Sequence, residues 1–449
     1  MNRIASRAWI TILIAVLLVA GFTFFICEYV AQSGQWAVFS GSPHVYNGAN
    51  IDCGVVTDRD NILLLDMEGE RTYSKDEVLR SSVIHWLGDR EGRIDAPALP
   101  SYSAQIAGYD LLNGVYNYGS KSGVTELTLS ASVQRTALQA LGSYKGTVAV
   151  YNYKTGELLC AVTTPTYDPD HVPEEALEGM YYNRFTQSAY PPGSIFKIVT
   201  LAAALETIPN IRQQTFTCTG SYLIGADEIT CESSHGDQDL KNAFCNSCNC
   251  AFAQIAQQLG GDTLERYVQQ FGVTESLVFD GITTSQGNFE AADTAEVNVA
   301  WSAVGQYNDQ INPAAFLAFV GAIANDGKGV SPYLVEEITV GNSTTYSAKP
   351  ETTGRIMDTE TAKELQEYMG YNVTQKYGAE NFPGLSVCAK TGTAEVGGGK
   401  KPNAMLAGFV TDPDCPLAFI VCVEDAGYGK AVCIPIASKV LAACKEVIK

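Results

Sequence analysis

The longest apolar stretch lies near the N-terminus. Residues 8–27 form an almost unbroken hydrophobic run, long enough for one helical crossing of a bilayer. Arg3 and Arg7 precede it and Glu28 follows, an order that predicts a cytoplasmic N-terminus with the remainder outside. A cleaved signal peptide is the rival reading. The run is long for a signal core, however, and no small-x-small cleavage site follows it. Residues 1–30 are therefore read as a cytoplasmic tip and an anchor. Residues 31–125 carry short strand-like pieces between polar turns. Val55-Val56-Thr57 and Ile62-Leu63-Leu64-Leu65 flank the turn at 58–61, and the segment is read as a small β-rich pedestal, a spacer or docking and dimerisation domain.

From about Thr125 the pattern changes. Leu127-Thr128-Leu129-Ser130 predicts a strand ending in a helix cap, with a helix through Val133, Ala137, Leu138 and Leu141. A hairpin follows, 147–153 and 157–163, with its turn at Lys154-Thr155-Gly156. Helical periodicity appears at 194–206, 239–246, 249–259, 313–325 and 359–371. Strand patterns return at 386–396, 404–410 and 416–423, and a helix closes the chain at 435–447. Strands at both ends with helices between predict an α+β domain over 126–449, one sheet built from both termini and covered by helices.

The chain has 449 residues, 46% hydrophobic and 17% charged, which suits two or three folded domains. Its formal net charge of -20 argues against nucleic acid as a partner and disfavours a substrate carboxylate, except where a local lysine collects it. There are 13 cysteines, of which all but Cys27 follow the anchor. Cys218 and Cys231 flank a strand and turn; a bridge closing that loop and a pair of free thiols are both open readings. Cys245, Cys248 and Cys250 have spacings that suggest zinc, and Cys218 and Cys231 would supply further thiolates. No second tight pair accompanies them, so small, weakly polar filler is preferred and no metal or other cofactor is expected.

Candidate chemistry centres on Pro191-Pro192-Gly193-Ser194-Ile195-Phe196-Lys197. Serine and lysine three apart share one helical face, and the apolar flank predicts a buried helix. Burial lowers a lysine pKa, so Lys197 would take the proton of the Ser194 hydroxyl. A plain N-cap serine on a surface helix is the alternative. Ser247-Cys248-Asn249 sits between two helical pieces; it would place Ser247 and Asn249 in one cleft, or merely cap consecutive helices. Lys-Thr-Gly occurs twice. Lys154 lies at a hairpin tip, whereas Lys390-Thr391-Gly392 continues an alternating strand in which a glycine marks close approach of another backbone or ligand. Lys390 and Thr391 would bind a substrate carboxylate, and the amides of Thr393 and Ser194 would form an oxyanion hole. His235 is read as structural. His44, His85 and His171 show no triad or metal pattern, so a histidine-based serine triad lacks support.

Together these segments resemble the class B penicillin-binding proteins, membrane-anchored peptidoglycan D,D-transpeptidases. The likeness covers most of 125–449. It includes Gly146–Val150, Thr155-Gly156-Glu157, Pro165–Pro169, Asn183-Arg184 and Ala322–Gly327. It is weaker elsewhere. Cys53 stands where arginine is usual, Ile106-Ala107-Gly108 replaces Gly-Leu-Glu, and Gly305-Gln306-Tyr307 departs from Gly-Gln-Gly. The resemblance implies an antiparallel sheet between helical layers with an all-helical lobe beside it. It implies Ser194, Lys197, Ser247, Asn249 and Lys390 as catalytic residues, and Thr391, Gly392 and Thr393 as substrate-binding ones. It further implies stem peptides and β-lactams as ligands, the cell membrane and a RodA/FtsW-type glycosyltransferase as partners, and no cofactor. A D,D-carboxypeptidase, a serine β-lactamase, a β-lactam sensor and an inactive scaffold are the rivals. No Glu-x-x-x-Asn element of the class A β-lactamases lies between Asn249 and Lys390.

Overall fold

A computed structural model describes residues 2–39, 45–47, 50–112, 114 and 122–448. His44 lies outside them. The N-terminal run forms one helix, Asn2–Ala37, whose stretch Arg3–Ala37 is long and apolar enough to cross a membrane. Its apolar side chains are exposed along the run.

A five-stranded antiparallel sheet organises the rest. Its spatial order is Val387–Ala394, Asn403–Val410, Leu417–Glu424, Lys145–Asn152 and Leu158–Thr164. The sheet thus joins early and late chain, as the strand pattern predicts. Asn403–Val410 is buried throughout, which explains its unbroken apolar run. One face packs Val148, Leu406 and Val421 against Val133 of helix Ala131–Leu141 and Val440 of helix Gly429–Val447. The other face packs Tyr151, Met405 and Ile420 into a core shared with helices Lys197–Thr207 and Pro313–Ala324. Pro313–Ala324 is apolar on every side because both its sides are covered, and the Asn312 side chain accepts from the amides of Ala314 and Ala315 to start it. Helices Asn249–Leu259 and Gly261–Phe271 pack against Lys197–Thr207, and Glu296–Ser302 packs on Asn249–Leu259, forming a helical lobe.

Four boundaries differ from the sequence reading. The last helix begins at Gly429, not 435, and carries Pro435 inside it. The strand before the first helix is Val124–Leu127, and Ser130 makes no capping bond. Instead the Asp58 carboxylate, from the pedestal, accepts from the Ala131 amide at 2.8 Å. The pedestal also holds a buried helix, Glu77–Leu87, which the strand-like reading missed. Finally, the hairpin Val335–Val340 and Ser343–Ser347 joins the pedestal. The resulting six-stranded sheet runs 343–347, 335–340, 124–127, 55–57, 63–66 and 72–73.

The two halves are locked by buried polar groups. Arg80 forks onto Asp168 at 2.5 and 2.6 Å, Trp86 donates to the Ala161 carbonyl at 2.7 Å, and His85 Nε2 lies 2.9 Å from the Met180 carbonyl. Burial pushes His85 down to about 4. Above its ordinary value the ring is neutral folded or unfolded. Between about 6.5 and 4 only the unfolded chain takes up the proton, so stability falls as pH drops through that window. Denaturant titration of the parent should show about 3 kcal/mol more loss from pH 7 to pH 4 than His85→Gln shows. Parallel curves for the two proteins would refute it.

Candidate active site

Pro191-Pro192 stops the preceding element, and Gly193–Phe196 form a 3-10 turn leading into the helix Lys197–Thr207. Gly193 takes φ +54°, and a Cβ there would meet the Thr393 carbonyl oxygen at 2.6 Å. The turn is thereby seated on the strand Val387–Ala394. Gly392 shows the same closeness from the other side: a Cβ would lie 2.8 Å from the Pro192 oxygen. Any side chain at 392 must shift backbone, since no flexible atom yields. Gly392→Ala should slow acylation of the Ser194 hydroxyl about 10- to 100-fold by displacing the turn that carries it. An unchanged rate in stopped-flow acylation would contradict this account of the glycine.

Three distant segments meet here. Lys197 Nζ lies 3.1 Å from Ser194 Oγ, 3.2 Å from Ser247 Oγ, 2.7 Å from the Ser247 carbonyl and 2.7 Å from Asn249 Oδ1. Lys197 is fully buried, and that burial lowers its amine to about 8. Ser247 is held at φ +54°, a left-handed conformation in which its hydroxyl stands between two amines. The second is Lys390, whose Nζ lies 3.0 Å from Ser247 Oγ and 2.9 Å from the Thr391 carbonyl. Lys390 is also fully buried and well below its ordinary pKa, through burial and the nearby Lys197.

An open cavity of about 1100 Å³ exposes Ser194, Ser247, Asn249, Thr391 and Thr393 among its lining residues. Lys390 does not line it. The sequence reading placed Lys390 on a substrate carboxylate; the structure places it behind Ser247, with the two threonine side chains in front. The Tyr377 hydroxyl accepts from the Thr391 amide at 3.1 Å and sits 3.0 Å from Thr391 Oγ1. That amide therefore points away from the neighbouring strand, and by the two-residue period so does that of Thr393, into the site. Tyr377 escaped the sequence reading because it lies in a π-helical turn, Val373–Tyr377, with no periodic signal.

The remaining candidates fall elsewhere. Lys154 is at its hairpin tip, bound to Asn325 Oδ1 at 2.7 Å. His171, read as lacking an acid neighbour, lies 2.7 Å from Asp168; it is exposed and the pair serves the Arg80 lock. Tyr307 takes φ +68°, so the position where the resemblance has glycine keeps a glycine-like backbone. The thiols regroup as well. Cys218 and Cys231 are both free. The compact group is not Cys245, Cys248 and Cys250 but Cys218, Cys231, His235 and Cys248, whose donor atoms all lie within 4.8 Å of one another.

Residues 146–442 match the family described as penicillin binding protein transpeptidase domain. The chain belongs to that family. This class B penicillin-binding protein is 29% identical over 362 residues to the peptidoglycan D,D-transpeptidase PbpA of Mycolicibacterium smegmatis, covering 72% of each chain. It is 29% identical over 341 residues to the stage V sporulation protein D of Bacillus subtilis, covering 70% of this chain and 52% of the relative. Among solved structures it is similar to the ceftriaxone acyl-enzyme of penicillin-binding protein A from Mycobacterium tuberculosis. There the TM-score is 0.76 at 22% identity, over 87% of this penicillin-binding protein and 98% of that chain. A D,D-transpeptidase domain from Eggerthella lenta gives a TM-score of 0.74 at 25% identity, over 88% and 98%.

Proposed function

We propose that this penicillin-binding protein cross-links peptidoglycan stem peptides through an acyl-enzyme on Ser194, the residue β-lactams also acylate. The observation that carries the reading is the single amine of Lys197 bonded within one buried cluster to Ser194, Ser247 and Asn249. Neutral Lys197 takes the hydroxyl proton as Ser194 Oγ attacks the carbonyl between the terminal D-alanines. The amides of Ser194 and Thr393 hold the oxyanion. Thr391 and Thr393 hydroxyls meet the terminal carboxylate, and Asn249 meets the peptide amide. As the carbon–nitrogen bond breaks, the proton passes from Lys197 through Ser247 to the departing D-alanine amine. Lys390 keeps the Ser247 hydroxyl aligned. An amine of a neighbouring stem peptide then displaces Ser194 from the acyl carbon and gives its proton back through the same groups.

A pentapeptide donor supplied with an amine acceptor tests this. The expected product is the cross-linked dimer with release of one D-alanine. Release of D-alanine with tetrapeptide alone would make the protein a carboxypeptidase. Rapid loss of a bound penicillin label would make it a β-lactamase. We further infer that Arg3–Ala37 anchors the protein with its tip in the cytoplasm and its catalytic domain outside, following the positions of Arg3 and Arg7. Such an anchor sets the pedestal beside a RodA/FtsW-type glycosyltransferase in the same membrane, which would supply nascent glycan. Co-purification from detergent extracts tests that partner. A related protein, penicillin-binding protein PBP2 of Helicobacter pylori, is solved in complex with MreC.

A further inference from the structure

We propose that Cys218, Cys231, His235 and Cys248 form a closed zinc site that staples the Ser247–Asn249 segment in place. The four ligands come from separate pieces of local structure. Cys218 ends the strand Phe216–Cys218, and Cys231 follows the hairpin Ser221–Ile224 and Asp227–Thr230. His235 precedes Gly236–Gln238, which pairs back onto Phe216–Cys218. Cys248 is the central residue of the catalytic triplet and caps the helix Asn249–Leu259.

Two of the donor pairs already stand at the spacing of a single ion, and all the donor atoms lie within 4.8 Å of one another. Zinc–sulfur bonds of about 2.3 Å and zinc–nitrogen bonds of about 2.0 Å, arranged tetrahedrally, put sulfurs about 3.8 Å apart and sulfur about 3.5 Å from nitrogen. Cys231 Sγ and Cys248 Sγ are 3.7 Å apart, and Cys218 Sγ is 3.4 Å from His235 Nδ1. Three thiolates and one imidazole are a soft donor set that selects zinc over magnesium or calcium.

The surroundings prepare the donors. The Cys231 sulfur accepts from the amides of Asn249 at 3.0 Å and Cys250 at 3.5 Å, and Cys248 Sγ accepts from the Ala251 amide at 3.4 Å. These amides open the helix Asn249–Leu259, where a negative sulfur is favoured. Ser233 Oγ lies 3.4 Å from His235 Nε2, which orients the ring and leaves Nδ1 towards the sulfurs. Cys231 and His235 line the active-site cavity, so an ion has a path in.

Four protein ligands leave no open position, so the ion would take no part in acyl transfer. Its effect is on geometry. Asn249 Nδ2 donates to the Thr230 carbonyl at 2.8 Å, beside Cys231, while Asn249 Oδ1 accepts from Lys197. Joining Cys231 to Cys248 through a metal fixes both ends of that bridge. The hairpin then becomes a brace for the residues that hold Lys197.

The full-length protein, purified in detergent with zinc and without chelator, is assayed for metal content. One zinc per chain is expected. Cys231→Ser and His235→Gln should each weaken zinc binding by more than about 100-fold, while Cys53→Ser, in the pedestal, keeps one equivalent. Cobalt exchanged into the parent should show thiolate-to-metal charge transfer and the intense visible bands of a tetrahedral ion. Stripped protein should keep its helical circular dichroism yet acylate penicillin about 10- to 100-fold more slowly, with recovery on adding zinc. A metal-free parent, a Cys231–Cys248 disulfide in its place, or full zinc content in both ligand variants overturns the site. An unchanged acylation rate after stripping overturns its positioning role. Metal content is read without catalysis, so it stands or falls apart from the transpeptidase assignment.

Discussion

Ser194→Ala should take up no detectable fluorescent penicillin, an expected loss in acylation rate on the order of 10^5-fold or more. The magnitude follows from losing the bond-forming atom, not from lost binding. Lys197 keeps three of its four partners in this variant, the Ser247 carbonyl, Ser247 Oγ and Asn249 Oδ1. The cluster therefore stays assembled, and the Ser194 side chain is only partly buried. Stability should move by less than about 1 kcal/mol, so the loss is chemical. Intact-mass analysis after incubation with penicillin reads the result directly. An adduct on the variant equal to that on the parent would remove Ser194 from its role.

Lys197→Met should lower acylation about 10^3- to 10^4-fold, the range of a lost general base. Methionine nearly matches the lysine stem, so packing around the fully buried position persists. What disappears is the amine that bonds both Ser194 and Ser247. The same amine sets a pH profile in the parent. Its lowered value of about 8 leaves it increasingly protonated in more acid solution. A protonated amine has no lone pair for the serine proton, so the rate should fall about tenfold per pH unit below that value and level off above it. Stopped-flow acylation from pH 6 to pH 9 reads the curve. A flat profile in the parent would assign the base elsewhere.

Much of the architecture is legible because local signals agree. The alternating and continuous apolar runs mark the five strands of the main sheet, and the Pro-Pro-Gly stop marks the turn that carries Ser194. Gly392 is legible as a close approach, since nothing else explains a glycine in mid-strand. Other features are set by partners far away in sequence. Nothing near Ala131 indicates that Asp58 caps its helix. Nothing near Lys390 indicates that its amine turns inward to Ser247. The thiol group is invisible for the same reason. Cys245, Cys248 and Cys250 are close in sequence, but helix geometry separates neighbours, and the compact set instead draws on Cys218, Cys231 and His235. The helix Glu77–Leu87 was masked by its own burial. Its charged Arg80 and its His85 face inward to polar partners, which blurs the amphipathic stripe.

The hairpin Val335–Val340 and Ser343–Ser347 makes the chain leave the pedestal at residue 127 and return more than two hundred residues later. Neither module can be cut free without baring a strand. A fragment starting at 126 would expose the pairing edge of Val335–Val340, a template for self-association. A fragment ending there would leave Val124–Leu127 with one neighbour where the whole protein gives it two. Pulling on the N-terminal helix would therefore load the catalytic half through a shared sheet, not through a hinge, and the pedestal and catalytic half should melt as one cooperative unit.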